Sequence, residues 1–90
     1  MIKNKIAVYA GLLKAMGNER RLEILYQLYE KECNVGELEK KVKLSQSALS
    51  QHLAVLRKEG VVKTRRVAQT IYYSIKNSKA EEILNLLNSF

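Results

Sequence analysis

The sequence predicts an α+β fold that is mainly helical, with the element order α-α-α-α-β-β-α in a single domain over residues 1–90. Three observations carry that expectation. Apolar residues recur at helical spacing from the first residues to Leu56. There is no proline, so the helices end where Gly, Asn and Ser interrupt the pattern. Then VVKTRRVAQTIYYSI, Val61 to Ile75, turns to β-branched and aromatic residues with partial alternation, which is the mark of strands.

The first helix is expected from about Lys3 to Met16. Its Ile6, Val8, Tyr9, Leu12, Leu13 and Met16 cover more of the helical wheel than one neighbour can bury. Gly17-Asn18 breaks it, and Asn18 is a good cap for a second helix from Glu19 to about Lys31, the central core helix, with Leu22, Ile24, Leu25, Leu28 and Tyr29. Asn34 caps a short third helix whose core stripe is Val35, Leu38 and Val42, with Glu37, Lys40 and Lys41 facing away. After a break near Lys43-Leu44, Ser45 caps the fourth helix, and Gly60 terminates it. The strands split near Val67-Ala68-Gln69 into a hairpin. Asn77 or Ser78 caps a last helix with one stripe of Ile83, Leu86, Leu87 and Phe90.

A domain this short buries only roughly 60–65% of its unfolded surface, so a lone copy is marginal. With 47% of its residues apolar, some of that surface is expected to meet a second copy. The net charge of +7 is uneven: Met1–Leu44 has nine basic residues against six Glu, Ser45–Lys76 has six against Glu59 alone, and Asn77–Phe90 has Lys79 against two Glu. A local excess of that kind suits a polyanion, most often nucleic acid, although a solvated basic face also fits. No apolar run reaches the ~18 residues of a membrane span and no signal-peptide pattern is present, so the expected location is the cytoplasm, without a membrane partner.

The fourth helix carries the sharpest signal. LSQSALSQHLAVL, Leu44 to Leu56, holds no charged residue in a chain that is 28% charged. On a wheel, Ala48, Leu49, His52, Leu53, Val55 and Leu56 fall in one core-facing arc. Gln46, Ser47, Ser50, Gln51 and Ala54 fall opposite, with Arg57 and Lys58 at the C-terminal end. Gln can pair bidentately with adenine, Ser can donate or accept, and Ala can meet a thymine methyl in the major groove. An ordinary solvated helix face would use Glu, Lys and Arg, which are better helix formers than Ser. With the short helix and tight turn before it, this is a helix-turn-helix unit. Its expected DNA contacts are Ser45, Gln46, Ser47, Ser50, Gln51 and Ala54. Lys63, Arg65 and Arg66, with Gln69 and Thr70, make the hairpin a basic projection able to grip phosphates or enter the minor groove, and Lys43 and Arg57 flank the helix as further expected contacts. Edge strands also carry such cations simply to block aggregation.

Other residues carry less. His52 is the only histidine, and one ligand of the usual four makes no metal site; it is expected as a packed, hydrogen-bonded core residue. Cys33 is the only cysteine, expected as a partly exposed thiol, with an intersubunit disulfide or thiol modification as the alternative. Of Tyr72 and Tyr73, on opposite faces of one strand, one should be exposed. With no Asp, one His, one Cys and no phosphate-binding glycine loop, neither an enzyme nor a cofactor is expected.

LLKAMGNERRLEILYQL, VGELEKKVKLSQSALSQHLAVLRKEGVV and RRVAQTIYYSI closely resemble the ArsR/SmtB family of bacterial winged-helix repressors, most of all the subgroup of HlyU, BigR and NolR. The resemblance covers roughly Leu12 to Ile75. It implies a winged helix-turn-helix and a homodimer through the first and last helices, here Ile6, Tyr9, Leu13, Ile83, Leu86, Leu87 and Phe90. It also implies operator binding by Gln46, Ser47, Ser50 and Gln51, with wing contacts from Arg65, Arg66 and Gln69. Many relatives place a Gly in the wing turn, where this chain has Val67-Ala68. Metal-sensing relatives carry a motif like ELCVCDL where this chain has ECNVGEL, Glu32 to Leu38; others bind zinc through His and acidic residues on the last helix, which here lacks His and Asp. Redox-sensing relatives place a first cysteine where Tyr26 stands and a second on the last helix, where there is none. The expected function is therefore a dimeric repressor binding an inverted repeat in double-stranded DNA, with no intact metal or dithiol site and an unknown inducer. The alternatives are a thiol-responsive regulator using Cys33, an architectural DNA binder, and a basic module docking an acidic protein.

Overall fold

The structure is a computed structural model describing residues 5–90. Its elements are α1 (Ile6–Met16), α2 (Glu19–Glu30), β1 (Cys33–Asn34), α3 (Val35–Val42), α4 (Gln46–Lys58), β2 (Val62–Val67), β3 (Thr70–Ile75) and α5 (Ser78–Asn88). The start expected for the first helix at Lys3 lies outside the described residues, and the second helix stops at Glu30 rather than Lys31.

Local chemistry sets the boundaries. Asn18 accepts from the Arg21 amide, Asn34 and Glu37 form a reciprocal capping box, Ser45 accepts from the Ala48 amide, and Asn77 accepts from the Lys79 and Ala80 amides. Each satisfies a backbone donor that has no helical partner, worth about 1 kcal/mol apiece. Lys43 ends α3 in the left-handed region at φ 51°, and Gly60 follows α4 at φ 72°, where a glycine has no steric penalty.

The element order corrects the sequence expectation at one point. A two-residue strand, β1, precedes α3 and makes the sheet three-stranded, in the order β1-β3-β2, all antiparallel. Cys33 pairs with Tyr73 and Asn34 with Tyr72. That pairing takes Cys33 into the core with 0% exposure, which overturns the expected partly exposed thiol.

The core is built from Ile24, Leu25 and Leu28 of α2, Leu38 and Val42 of α3, Leu49, Leu53 and Leu56 of α4, Val61 and Val62, and Tyr73 of β3. Leu12, Ala15 and Met16 close it from α1, and Ala80 and Leu84 from α5. Three residues of the expected α4 core arc are not fully buried: Ala48, His52 and Val55. Val55 is 38% exposed, because α1 reaches α4 only beside it and leaves a cleft lined by Gly11, Lys14, Arg21 and Glu59. His52 is half-buried, at the edge of the core.

The last helix shows its expected stripe to the outside. Leu86 is 61% exposed and Phe90 94%, while Ala80 and Leu84 make the contact with the core. Of the ten exposed large apolar side chains among the described residues, six are Ile6, Val8 and Leu13 of α1 and Leu86, Leu87 and Phe90 at the C-terminal end.

Candidate nucleic-acid interface

Helix α4 keeps its two faces apart. Leu49, Leu53 and Leu56 are buried, while Ser45, Gln46, Ser47, Ser50, Gln51 and Ala54 are all exposed. Ser45 is committed to its cap at 3.1 Å. The other five present amides, hydroxyls and a methyl, with no carboxylate among them. Arg57 and Lys58 stand exposed in the last turn, where the helix dipole favours cations. Lys43, in the turn before α4, is exposed as well.

Arg21 of α2 joins this helix to the end of α1. Arg21 Nε donates to the Ala15 carbonyl at 2.6 Å at the end of α1, and its Nη1 lies 3.3 Å from His52 Nδ1 on α4. His52 therefore has the polar partner expected of it, and it points toward Arg21 instead of outward with Ser50 and Gln51.

The wing is the β2–β3 hairpin, paired from Val62–Ile75 to Val67–Thr70 and closed by Ala68-Gln69. Ala68 takes φ 55° at the first loop position, where a two-residue hairpin turn commonly uses glycine. Strand alternation puts Val62, Thr64 and Arg66 on the face of buried Tyr73, and Lys63 and Arg65 on the face of Tyr72. Of the two tyrosines, Tyr73 is buried and Tyr72 half-buried, so neither is fully exposed. Helix α4 packs against β2. Arg66, Gln69 and Thr70 are exposed around the tip.

Arg65 is held. Its Nε and Nη2 donate to the two carboxylate oxygens of Glu32 at 2.8 and 2.7 Å, and its guanidinium carbon lies 4.7 Å from the centre of the Tyr72 ring. The arginine holds the Glu32 carboxyl below its ordinary range through that hydrogen bond. Tyr72 meets Arg65 through the hairpin register, but Glu32 reaches it only through the short strand β1, which carries no sequence signal.

Cys33 Sγ donates to the Lys31 carbonyl at 3.4 Å. Burial pushes its thiol above the ordinary cysteine range, which opposes thiolate chemistry. Among the described residues no three His, Cys, Asp or Glu side chains gather as a metal would need, and no helix is long and apolar enough to cross a membrane.

Residues 18–64 match the profile of the bacterial regulatory proteins of the arsR family. The chain is 53% identical over 77 residues to the transcriptional activator HlyU of Vibrio cholerae, covering 86% of this chain and 71% of that protein. The solved structure of HlyU from V. cholerae superposes with a TM-score of 0.91 at 50% identity, covering 99% of this chain and 96% of that one. A biofilm growth-associated repressor of Xylella fastidiosa is 42% identical over 78 residues, covering 87% and 68%. A homodimeric winged helix-turn-helix DNA-binding domain from Mycobacterium bovis, solved by solution NMR, superposes with a TM-score of 0.87 at 26% identity, covering 97% and 81%.

Proposed function

Because this chain belongs to the arsR family of bacterial regulatory proteins, we propose that it is a transcriptional repressor that binds an inverted-repeat operator as a homodimer. The carrying observation is the α4 face, where Gln46, Ser47, Ser50, Gln51 and Ala54 are all exposed and none is charged. These groups fit the donor and acceptor pattern of base edges in the major groove. Lys43, Arg57, Arg66, Gln69 and Thr70 supply the phosphate grip that sets register and orientation. A protein with such a partner works in the cytoplasm beside the chromosome.

The dimer forms through α1 and the C-terminal end. Ile6 and Leu13 of α1 and Leu86, Leu87 and Phe90 at the C-terminal end are exposed apolar groups that a second copy would cover, and Tyr9 and Ile83 on the same two helices are half-buried. The homodimeric state of the M. bovis domain supports this reading. Two recognition helices then enter successive major grooves about 34 Å apart.

Selection of binding sites from random double-stranded DNA tests it, paired with sedimentation to fix the oligomer. The expected result is an inverted repeat with half-sites one helical turn apart, bound by a dimer. Recovery of no motif would make the chain an architectural binder, and no binding at physiological salt would make its basic face a protein-docking surface.

A further inference from the structure

We propose that Glu32 is a positioning residue for the wing: it holds Arg65 against the outer face of the sheet, so that Arg65 fixes the hairpin to the body and Arg66 alone of the two makes the phosphate contact. The proposal rests on the DNA-binding reading above.

Three strands meet in this clamp. The carboxylate comes from the residue before β1, the guanidinium from β2 and the ring from β3. Both carboxylate oxygens are engaged, at 2.8 and 2.7 Å, in the fork geometry that arginine makes and lysine does not. The flat side of the guanidinium is taken up by Tyr72, which itself pairs with Asn34 of β1. An exposed ion pair adds little to global stability. It can still set the angle of a two-stranded projection whose tip, from Arg65 to Ile71, is exposed throughout.

Strand geometry supplies the second argument. Arg65 and Arg66 are neighbours, so their side chains leave opposite faces of the hairpin. Arg66 shares its face with Val62 and Tyr73, the side on which α4 packs. Arg65 shares its face with Lys63, away from the recognition helix. The two arginines therefore cannot serve the same stretch of backbone, and the one on the recognition side is unpaired among the described residues.

The test uses the full chain with its selected operator and with random DNA, and compares Arg65→Gln, Glu32→Gln, the double variant and Arg66→Gln. Arg66→Gln should reduce the slope of log affinity against log salt by about 0.9, the value of one lost phosphate contact. Arg65→Gln and Glu32→Gln should each weaken operator binding about threefold with the slope unchanged, in line with an exposed pair. The double variant should be no weaker than either single one. Hydrogen exchange of the amides from Arg66 to Thr70 should quicken in Glu32→Gln. A slope reduced by about 0.9 in Arg65→Gln, or tighter binding by Glu32→Gln, overturns the proposal and makes Glu32 a decoy that phosphate displaces. If the wild-type chain binds no DNA, the functional reading fails instead, and the exchange measurement still decides whether the clamp exists.

Discussion

The Tyr26 hydroxyl donates to Asn88 Oδ1 across 2.7 Å, and one turn along the Tyr29 hydroxyl donates to Asn85 Oδ1 at the same distance. The two rings stack with centroids 6.4 Å apart. Helix α5, which carries the exposed Leu86 and Leu87, is thus laced to α2 through side chains one turn apart on each helix. Redox-sensing members of the family carry a cysteine at the position of Tyr26.

That lace predicts indifference to oxidants. A phenol and an amide form no covalent bond under peroxide, so the α2–α5 contact is the same in reducing and oxidising buffer. Operator affinity should change less than twofold when the protein is treated with hydrogen peroxide or diamide. Tyr26→Phe, which removes one hydrogen bond worth about 1 kcal/mol or less at an exposed site, should lower the melting temperature by a few degrees and leave that indifference intact. A tenfold loss of affinity on oxidation would show that the lace is not what decides the response.

Cys33 sharpens the same point from the other side. Burial raises its thiol pKa, so the folded state favours the protonated form. For a group raised in the folded state, the stabilisation is complete below the unfolded value and is lost as pH rises through the folded one. Dithionitrobenzoate at neutral pH should therefore react with Cys33 at the rate of opening, far more slowly than with free cysteine, and the rate should jump on adding denaturant. Fast stoichiometric reaction of the folded protein would restore the thiol-sensing alternative.

The recognition face and the wing are separable by salt. Gln46→Ala or Ser50→Ala should lower operator affinity by roughly 1–3 kcal/mol while random DNA is bound as before, since a lost base contact removes discrimination. Arg66→Ala should weaken both alike and flatten the salt dependence. Titrations at several salt concentrations on both DNAs read the two effects. Equal weakening of both DNAs by Gln46→Ala would remove Gln46 from the base-reading set.

What the sequence discloses is what it decides locally. Asn18, Asn34, Ser45 and Asn77 cap their helices because each acts on amides within three residues; the first three are legible outright and the last as one of two candidates, Asn77 or Ser78. The polar face of α4 is legible for the same reason: its missing charge needs no partner to be seen. Strand β1 is not. Two residues have no period, and their pairing to Tyr72 and Tyr73 lies far along the chain. With β1 unseen, the burial of Cys33 and the grip of Glu32 on Arg65 stay unseen too. Val55 fails differently: it lines a cleft with Gly11 and Lys14 of α1, which cover it only in part and leave it 38% exposed.

The turn of the wing offers the last prediction. Ala68 is held at φ 55°, a left-handed conformation that costs an L-residue with a Cβ roughly 1–2 kcal/mol. Glycine removes that penalty but loses about 0.5–1 kcal/mol more chain entropy on folding. The penalty is on average the larger quantity, so Ala68→Gly should stabilise the protein by up to about 1.5 kcal/mol, and Ala68→Val, branched at Cβ, should destabilise it. Ala68 is exposed at the tip, so repacking adds nothing to either change. Thermal melts of the three proteins in one buffer should rank Gly above Ala above Val. If Gly melted below Ala, the turn would not be strained at this position, and the preference of relatives for glycine would have to come from how closely the tip approaches DNA.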